Sequence, residues 1–200
     1  MTFAVIPAGG KSSRMGVPKL ALPVGGRSVL EMVIAALQEG GIEHILVVAG
    51  PHSPELAPLA RAAGADVQQL EDETADMRAT VEEGLCRLEE RFHPGNSDSW
   101  LLVPADHPTL DANVVRQLVR ASVLRANCSI FVPTFHDRRG HPALISWQHV
   151  AGLRAWPAGQ GINSYLRQRA GETMEVPVNT ESILFDLDTP EDYWRLLRMS

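Results

Sequence analysis

Short apolar runs alternate along the chain with stretches whose apolar positions recur every three or four residues. Phe3-Ala4-Val5-Ile6 is a compact apolar run stopped by Pro7 and a glycine pair, and it reads as a buried strand. Ser28 stands ahead of Val29, Leu30, Val33, Ile34 and Leu37, the spacing of one helical face, and Gly40-Gly41 ends that helix. Residues 45–49 form a second strand closed by Gly50-Pro51, and a helix opening at Ser53 or Pro54 runs to Gly64. A weaker strand follows at 66–70. The helical period returns over 75–91, with Met77, Val81, Leu85 and Leu88 on the inward face. Residues 100–103 read as a fourth strand ending at Pro104, and Asp111 caps a helix that turns Val114, Val115, Leu118 and Val119 inward. Strands at 129–132 and 142–145 flank a polar hairpin at 135–140. Two small helices, a strand at 175–178, a short strand at 183–185 and a helix from Pro190 complete the pattern.

Apolar strands alternating with amphipathic helices predict an α/β fold: a three-layer, Rossmann-like, mostly parallel sheet with helices on both faces. Two hundred residues suit a single domain spanning 1–200. In open sheets of this kind ligands bind beyond the carboxyl ends of the strands. That directs attention to residues 8–19, after the first strand, and to Pro104-Ala105-Asp106-His107-Pro108, after the fourth.

Charge sharpens the picture locally. The formal net charge of −6 argues against a nucleic-acid partner. Yet the first thirty residues hold Lys11, Arg14, Lys19 and Arg27 and no acidic residue, which suits a small anion. Cys86 and Cys128 lie far apart with no Cys-x-x-Cys, and each reads as a buried, reduced thiol. His136 and His141, with no cysteine beside them, do not make a zinc motif. No signal-peptide pattern or membrane-length apolar run is evident, so the expectation is a cytoplasmic protein with no membrane partner.

Gly10-Lys11-Ser12 ends like a phosphate-binding P-loop, but the first glycine of that motif would fall at Val5, inside the strand, and Pro18 interrupts the helix its lysine opens. The stretch still has the chemistry of a phosphate site. Ala8, Gly9 and Gly10 let the backbone approach a ligand and adopt positive φ, and Lys11, Arg14 and Lys19 supply three cations within nine residues.

The run from Ile6 through Ala8-Gly9-Gly10-Lys11-Ser12-Ser13-Arg14-Met15-Gly16 to Lys19-Leu20 resembles the nucleotidyltransferase signature, and in particular that of the molybdopterin nucleotidyltransferases. Five further segments follow in the family's order. They are Asp76–Leu85, Pro104–Pro108, Arg139-Gly140-His141-Pro142-Ala143-Leu144, Gly159–Leu166, and Phe185-Asp186-Leu187-Asp188-Thr189-Pro190-Glu191-Asp192-Tyr193. The resemblance implies a nucleotide-diphospho-sugar transferase type of fold. It also implies a Mg²⁺-dependent reaction in which a phosphorylated acceptor, molybdopterin, attacks the α-phosphate of an NTP and pyrophosphate leaves. CTP is favoured and GTP remains open, because Gly9 matches the guanylyl branch and departs from the cytidylyl one. A molybdoenzyme or its chaperone is a further partner consistent with it.

By the same resemblance Ala8, Gly9, Gly10, Lys11, Ser12, Arg14 and Lys19 bind the nucleotide, and Lys19, Arg14 and Asp106 are catalytic. Asp106 and Asp188 are the metal ligands, with Asp186 the rival of Asp188. His107, Gly140, His141 and Pro142 shape the acceptor pocket. Two alternatives stand beside this reading: another small-phosphate or sugar-phosphate acceptor, and a non-catalytic nucleotide- or cofactor-binding carrier or regulator of the same fold. Residues 188–192 also read as a plain helix start, since Asp or Thr before Pro, with acids in the first turn, favours one.

Overall fold

The computed structural model describes residues 1–10, 15–125 and 127–199. Strand β1 (Thr2–Ala8) lies inside the sheet, and its side chains alternate between two apolar layers. Ala4, Ile6 and Ala8 face one layer, and Phe3 and Val5 face the other. A strand buried on both faces needs the continuous apolar run seen here. A two-stranded ribbon, β2 (Pro23–Val24) and β3 (Arg27–Ser28), precedes α1 (Val29–Glu39). The chain continues through β4 (His44–Ala49), α2 (Leu56–Ala62), β5 (Asp66–Gln69), α3 (Met77–Phe92), β6 (Ser99–Leu102) and α4 (Ala112–Leu124). It ends with β7 (Ile130–Phe135), β8 (Arg138–Arg139), β9 (Ala143–Ser146), α5 (His149–Arg154), α6 (Ile162–Gln168), β10 (Thr173–Pro177) and α7 (Pro190–Met199).

The sheet runs β10-β7-β9-β6-β1-β4-β5, with β8 paired to β7. All pairs are parallel except those of β9 with β6 and β7 and of β8 with β7. Helices α1, α2, α4 and α7 bury Leu30, Leu56, Val115 and Leu196 in one layer, while α3, α5 and α6 bury Leu85, Val150 and Tyr165 in the other. The expected three-layer α/β architecture is therefore the one observed.

Local signals account for the helix ends. Ser28 caps α1 in a reciprocal box: its hydroxyl accepts from the Glu31 N–H at 3.3 Å while its own N–H donates to Glu31 at 2.7 Å. Asp76 caps α3 through the Ala79 N–H, and Asp111 caps α4 through the Asn113 N–H. At the tip of β7–β8, His136 and Asp137 both have positive φ, as a two-residue type I′ turn requires.

Four expectations change. Residues 183–185 are not a strand: Glu181–Leu184 is a 3₁₀ turn whose start is capped by the Thr180 hydroxyl, which accepts from the Ser182 N–H. Met77 is 46% exposed rather than inward, because it sits in the first turn of α3, ahead of the face that packs on the sheet. Cys86 is exposed and Cys128 only partly buried. On α3, Val81, Leu85 and Leu88 define the inward face, and Cys86 follows Leu85 by about 100° of helical turn. The β2–β3 ribbon, read as loop, closes through Gly25 and Gly26, both at positive φ.

One buried polar group gives the fold a pH dependence. His149 is 5% exposed, shares hydrogen bonds with the Tyr165 hydroxyl at 3.0 Å and the Ser129 hydroxyl at 2.8 Å, and lies 3.7 Å from the Glu172 carboxylate. Burial pushes its pKa below the ordinary 6.5, with Arg169 adding to the shift and Glu172 opposing it. A histidine whose folded pKa lies below its unfolded one takes up its proton first in the unfolded chain. Its contribution to stability is thus full above 6.5 and is lost as pH falls through 6.5 toward the folded value. The melting temperature should fall between about pH 7.5 and about pH 5.5. His149→Gln should flatten part of that slope; an unchanged slope in thermal melts of the variant would remove His149 as its cause.

Candidate active site

At the centre of the sheet the chain reverses its order. β4 and β5 lie on one side of β1, and β6 returns to pair with the other. Such a switch point opens a crevice at the carboxyl ends of the strands. A cavity of about 480 Å³ occupies that place. Pro7, Ala8, Gly9 and Gly10 line it from the end of β1, and Pro104, Ala105 and Asp106 from the end of β6. Lys19, Asp188, Met15 and the start of α3 close the remaining walls.

Gly9 and Gly10 do not adopt the positive φ expected of them; in this loop that conformation belongs to Gly16. What the glycines provide is room. A Cβ on Gly50 would lie 2.9 Å from the Gly9 Cα, so the ends of β1 and β4 meet because Gly50 lacks a side chain, while a Cβ on Gly9 would touch Thr80 at 3.4 Å. Lys11, Ser12 and Arg14, expected to hold the nucleotide phosphates, lie outside the described residues.

Lys19, Asp106 and Asp188 come together from three distant segments. The Lys19 ammonium donates to Asp106 at 2.6 Å, to Asp188 at 3.0 Å and to the Leu187 carbonyl at 2.8 Å. Burial lowers the pKa of this ammonium, but the two carboxylates more than offset that, so it lies above the ordinary lysine value and the group stays charged. A backbone bond from the Leu187 N–H to the Asp106 carbonyl, 2.8 Å, fixes the C-terminal segment against the end of β6.

The geometry separates site from scaffold within residues 186–192. Asp192 and Thr189 form the box that starts α7. The Asp192 carboxylate accepts from the N–H groups of Asp188 and Thr189, and the Thr189 hydroxyl accepts from the Asp192 N–H. The helix start is thus satisfied without the Asp188 side chain, which turns to Lys19. Asp186 points elsewhere: it meets His107 Nδ1 at 3.3 Å, and that bond holds its carboxyl below the usual aspartate range.

The expected acceptor residues divide. His107 is fully buried and lines neither this cavity nor the smaller one described below. Its ring centre lies 6.1 Å from that of His141. Burial, and then His107, pushes the His141 imidazole below its ordinary pKa. Gly140 is required by packing, since a Cβ there would lie 2.2 Å from the Ile183 carbonyl. Gly140 and His141 line the smaller cavity and Pro142 does not.

Sequence reasoning overlooked the far wall. Asp76, Met77 and Thr80 of the α3 start, with Glu73 and Thr74 before it, line the cavity opposite the β1 loop. Thr74 and Thr80 share a hydroxyl–hydroxyl bond, and the Gly9 Cα faces Thr80. The available signal was the segment 76–85, in which Thr80 is buried and polar where the helix period calls only for apolar residues. Among the described residues no group of three or more histidine, cysteine or acidic side chains converges as a metal cage, and no helix is long and apolar enough to cross a membrane.

Comparison with known proteins agrees with this architecture. The family model described as the MobA-like NTP transferase domain matches residues 4–173. A molybdenum cofactor guanylyltransferase of Rhizobium meliloti is 30% identical over 204 residues, covering 94% of this chain and 87% of that protein. The bifunctional protein GlmU of Mycolicibacterium paratuberculosis is 26% identical over 155 residues, 74% of this chain, and the match spans only 31% of the length of GlmU. Among solved structures, the manganese complex of Rv0371c from Mycobacterium tuberculosis superposes with a TM-score of 0.79 at 21% identity, covering 98% of this chain and 97% of that one.

Proposed function

The chain belongs to the MobA-like NTP transferase family and is a nucleotidyltransferase, and from that premise we propose that it transfers a nucleoside monophosphate from an NTP to molybdopterin with release of pyrophosphate. The observation that carries this reading is the convergence of Lys19, Asp106 and Asp188 at the mouth of a glycine-walled cavity at the sheet's switch point. A lysine held between two carboxylates supplies both signs of charge that a triphosphate and its cation need.

Magnesium fits the donor set. Asp106 and Asp188 offer hard oxygens that already converge on one cationic nitrogen, at 2.6 and 3.0 Å. Mg²⁺ favours one or two carboxylates and completes its shell with water and phosphate oxygens, so a larger protein cage is not needed. The manganese complex of the Mycobacterium tuberculosis neighbour supports a divalent cation in this fold. When bound, the ion would offset charge on the phosphate oxygens. The chain's own part is positional: the β1 loop borders the nucleotide, and Lys19 neutralises charge that builds at the α-phosphate.

Two bases fit the family. CTP is the reading of the motif series as a whole. GTP is favoured by Gly9 and by the guanylyltransferase relative, which shares 30% identity along nearly the full chain. The deciding measurement is pyrophosphate release from CTP, GTP, ATP and UTP, each offered molybdopterin, N-acetylglucosamine 1-phosphate or other sugar phosphates. Release with CTP or GTP and molybdopterin alone is expected. Release only with a sugar phosphate would transfer the reading to that acceptor class. Tight nucleotide binding with no turnover would mark a carrier or regulator.

A further inference from the structure

A second cavity, of about 260 Å³, has His141 in its wall, and the His141 ring centre lies 6.1 Å from that of His107, whose Nδ1 meets Asp186. Arg139 and His141 line it from the segment between β7 and β9, and Asn163 and Arg167 from α6, with Leu102 and Val132 among its apolar wall residues. Among the described residues its lining holds two arginines and no carboxylate.

The fold leaves one polar atom of this lining without a partner among the described residues. Asn163 and Arg167 are four apart on α6 and so share a face. Ile162, Tyr165 and Leu166 anchor that helix in the core, while the side chains of Asn163 and Arg167 are exposed and make no hydrogen bond or ion pair to protein among the described residues. His141 Nδ1 is buried without a partner. Arg139 is partly committed, its Nε donating to Glu175 at 2.8 Å, which leaves its terminal nitrogens. A buried ring nitrogen without a partner is costly unless a ligand supplies one.

We propose that this cavity is the subsite for the non-reacting end of the acceptor, and that this end carries negative charge or clustered hydrogen-bond-accepting oxygens, received by Arg167 with Asn163, Arg139 and His141. The identity of the ligand rests on the nucleotidyl-transfer reading; the anion-accepting chemistry of the cavity does not.

Two measurements test this separately. In amide NMR, inorganic phosphate titrated into the protein should shift residues 139–141, 163 and 167, and Arg167→Met should abolish those shifts. Shifts confined to the neighbourhood of Lys19, or shifts that persist in Arg167→Met, overturn the inference. In turnover assays with molybdopterin, Arg167→Met should raise the acceptor KM by about tenfold or more, with Arg167→Lys intermediate and the NTP KM changed by less than about threefold. An unchanged acceptor KM also overturns it. If molybdopterin is not turned over at all, the functional reading fails, and the phosphate titration still decides the cavity.

Discussion

Asp106→Asn is expected to leave the fold intact and to reduce pyrophosphate release by at least about 10²-fold. The substitution keeps the size of the side chain and an oxygen that can still accept from Lys19. It removes one of two negative charges converging on a single cation, at 2.6 Å. The side chain is 26% exposed, so losing this ion pair should cost on the order of 1 kcal/mol or less in stability. The melting temperature should therefore drop by only about 2–4 °C for a chain of this size. A loss of activity far beyond that small loss of stability separates a functional role from a structural one. The divalent-ion dependence discriminates further. If Asp106 holds the ion, the asparagine variant needs a much higher Mg²⁺ or Mn²⁺ concentration for half-maximal rate. A variant with near wild-type turnover and an unchanged metal requirement would show that the ion is held elsewhere.

The larger elements of this fold were legible because burial writes them into the chain. Phe3–Ile6 and the apolar residues of β4 and β6 have no polar alternation, and strands buried on both faces need none. Ser28, Asp76 and Asp111 stand at helix starts because a side-chain oxygen there satisfies backbone N–H groups that nothing else reaches. Errors arose where residue type was read without its direction. The general burial of free cysteine predicts a buried Cys86, whereas the period of Val81, Leu85 and Leu88 leaves it off the packed face, and it is exposed. Residues 183–185 have the composition of a strand, but the backbone there closes a 3₁₀ turn, and the Ile183 carbonyl accepts from the His141 N–H.

The site was legible in part, for a different reason. Its segments follow strands, and strand ends at a switch point are where ligands bind. The choice between Asp186 and Asp188 could not be read from sequence, because either fits a motif of alternating aspartates. Packing decides which goes where: Asp188 turns to Lys19, and Asp186 meets the buried His107. The α3 wall was missed because Thr80 and Thr74 carry no charge and no distinctive spacing; only tertiary structure sets them opposite the β1 loop. The Asn163 and Arg167 side of the second cavity was missed for the same reason, although Gly140 and His141 in its wall are among the expected acceptor residues. Arg139 and Arg167 are 28 positions apart in sequence and meet only through the packing of α6 on the sheet.

Lys19→Met is expected to lower kcat by about 10²–10³-fold while changing NTP affinity by less than about tenfold. The methionine preserves most of the side-chain volume but supplies no charge. In the nucleotide-free protein Lys19 balances Asp106 and Asp188 and donates to the Leu187 carbonyl, so its loss leaves two carboxylates facing one another without their shared cation. Some loosening of residues 186–190 against β6 should follow, read as faster amide hydrogen exchange at Leu187. The exchange effect tests the structural role and the kinetic split tests the chemical one. On the proposed reading a bound NTP would keep most of its contacts with the β1 loop, whereas charge developing at the α-phosphate during transfer would lose the ammonium of Lys19. Lys19→Arg should recover the anchoring of residue 187 more fully than the rate, since a planar guanidinium can replace the hydrogen bonds but not place a compact charge at the same point. Equal losses in affinity and turnover would assign Lys19 to ground-state binding alone and remove it from the catalytic group.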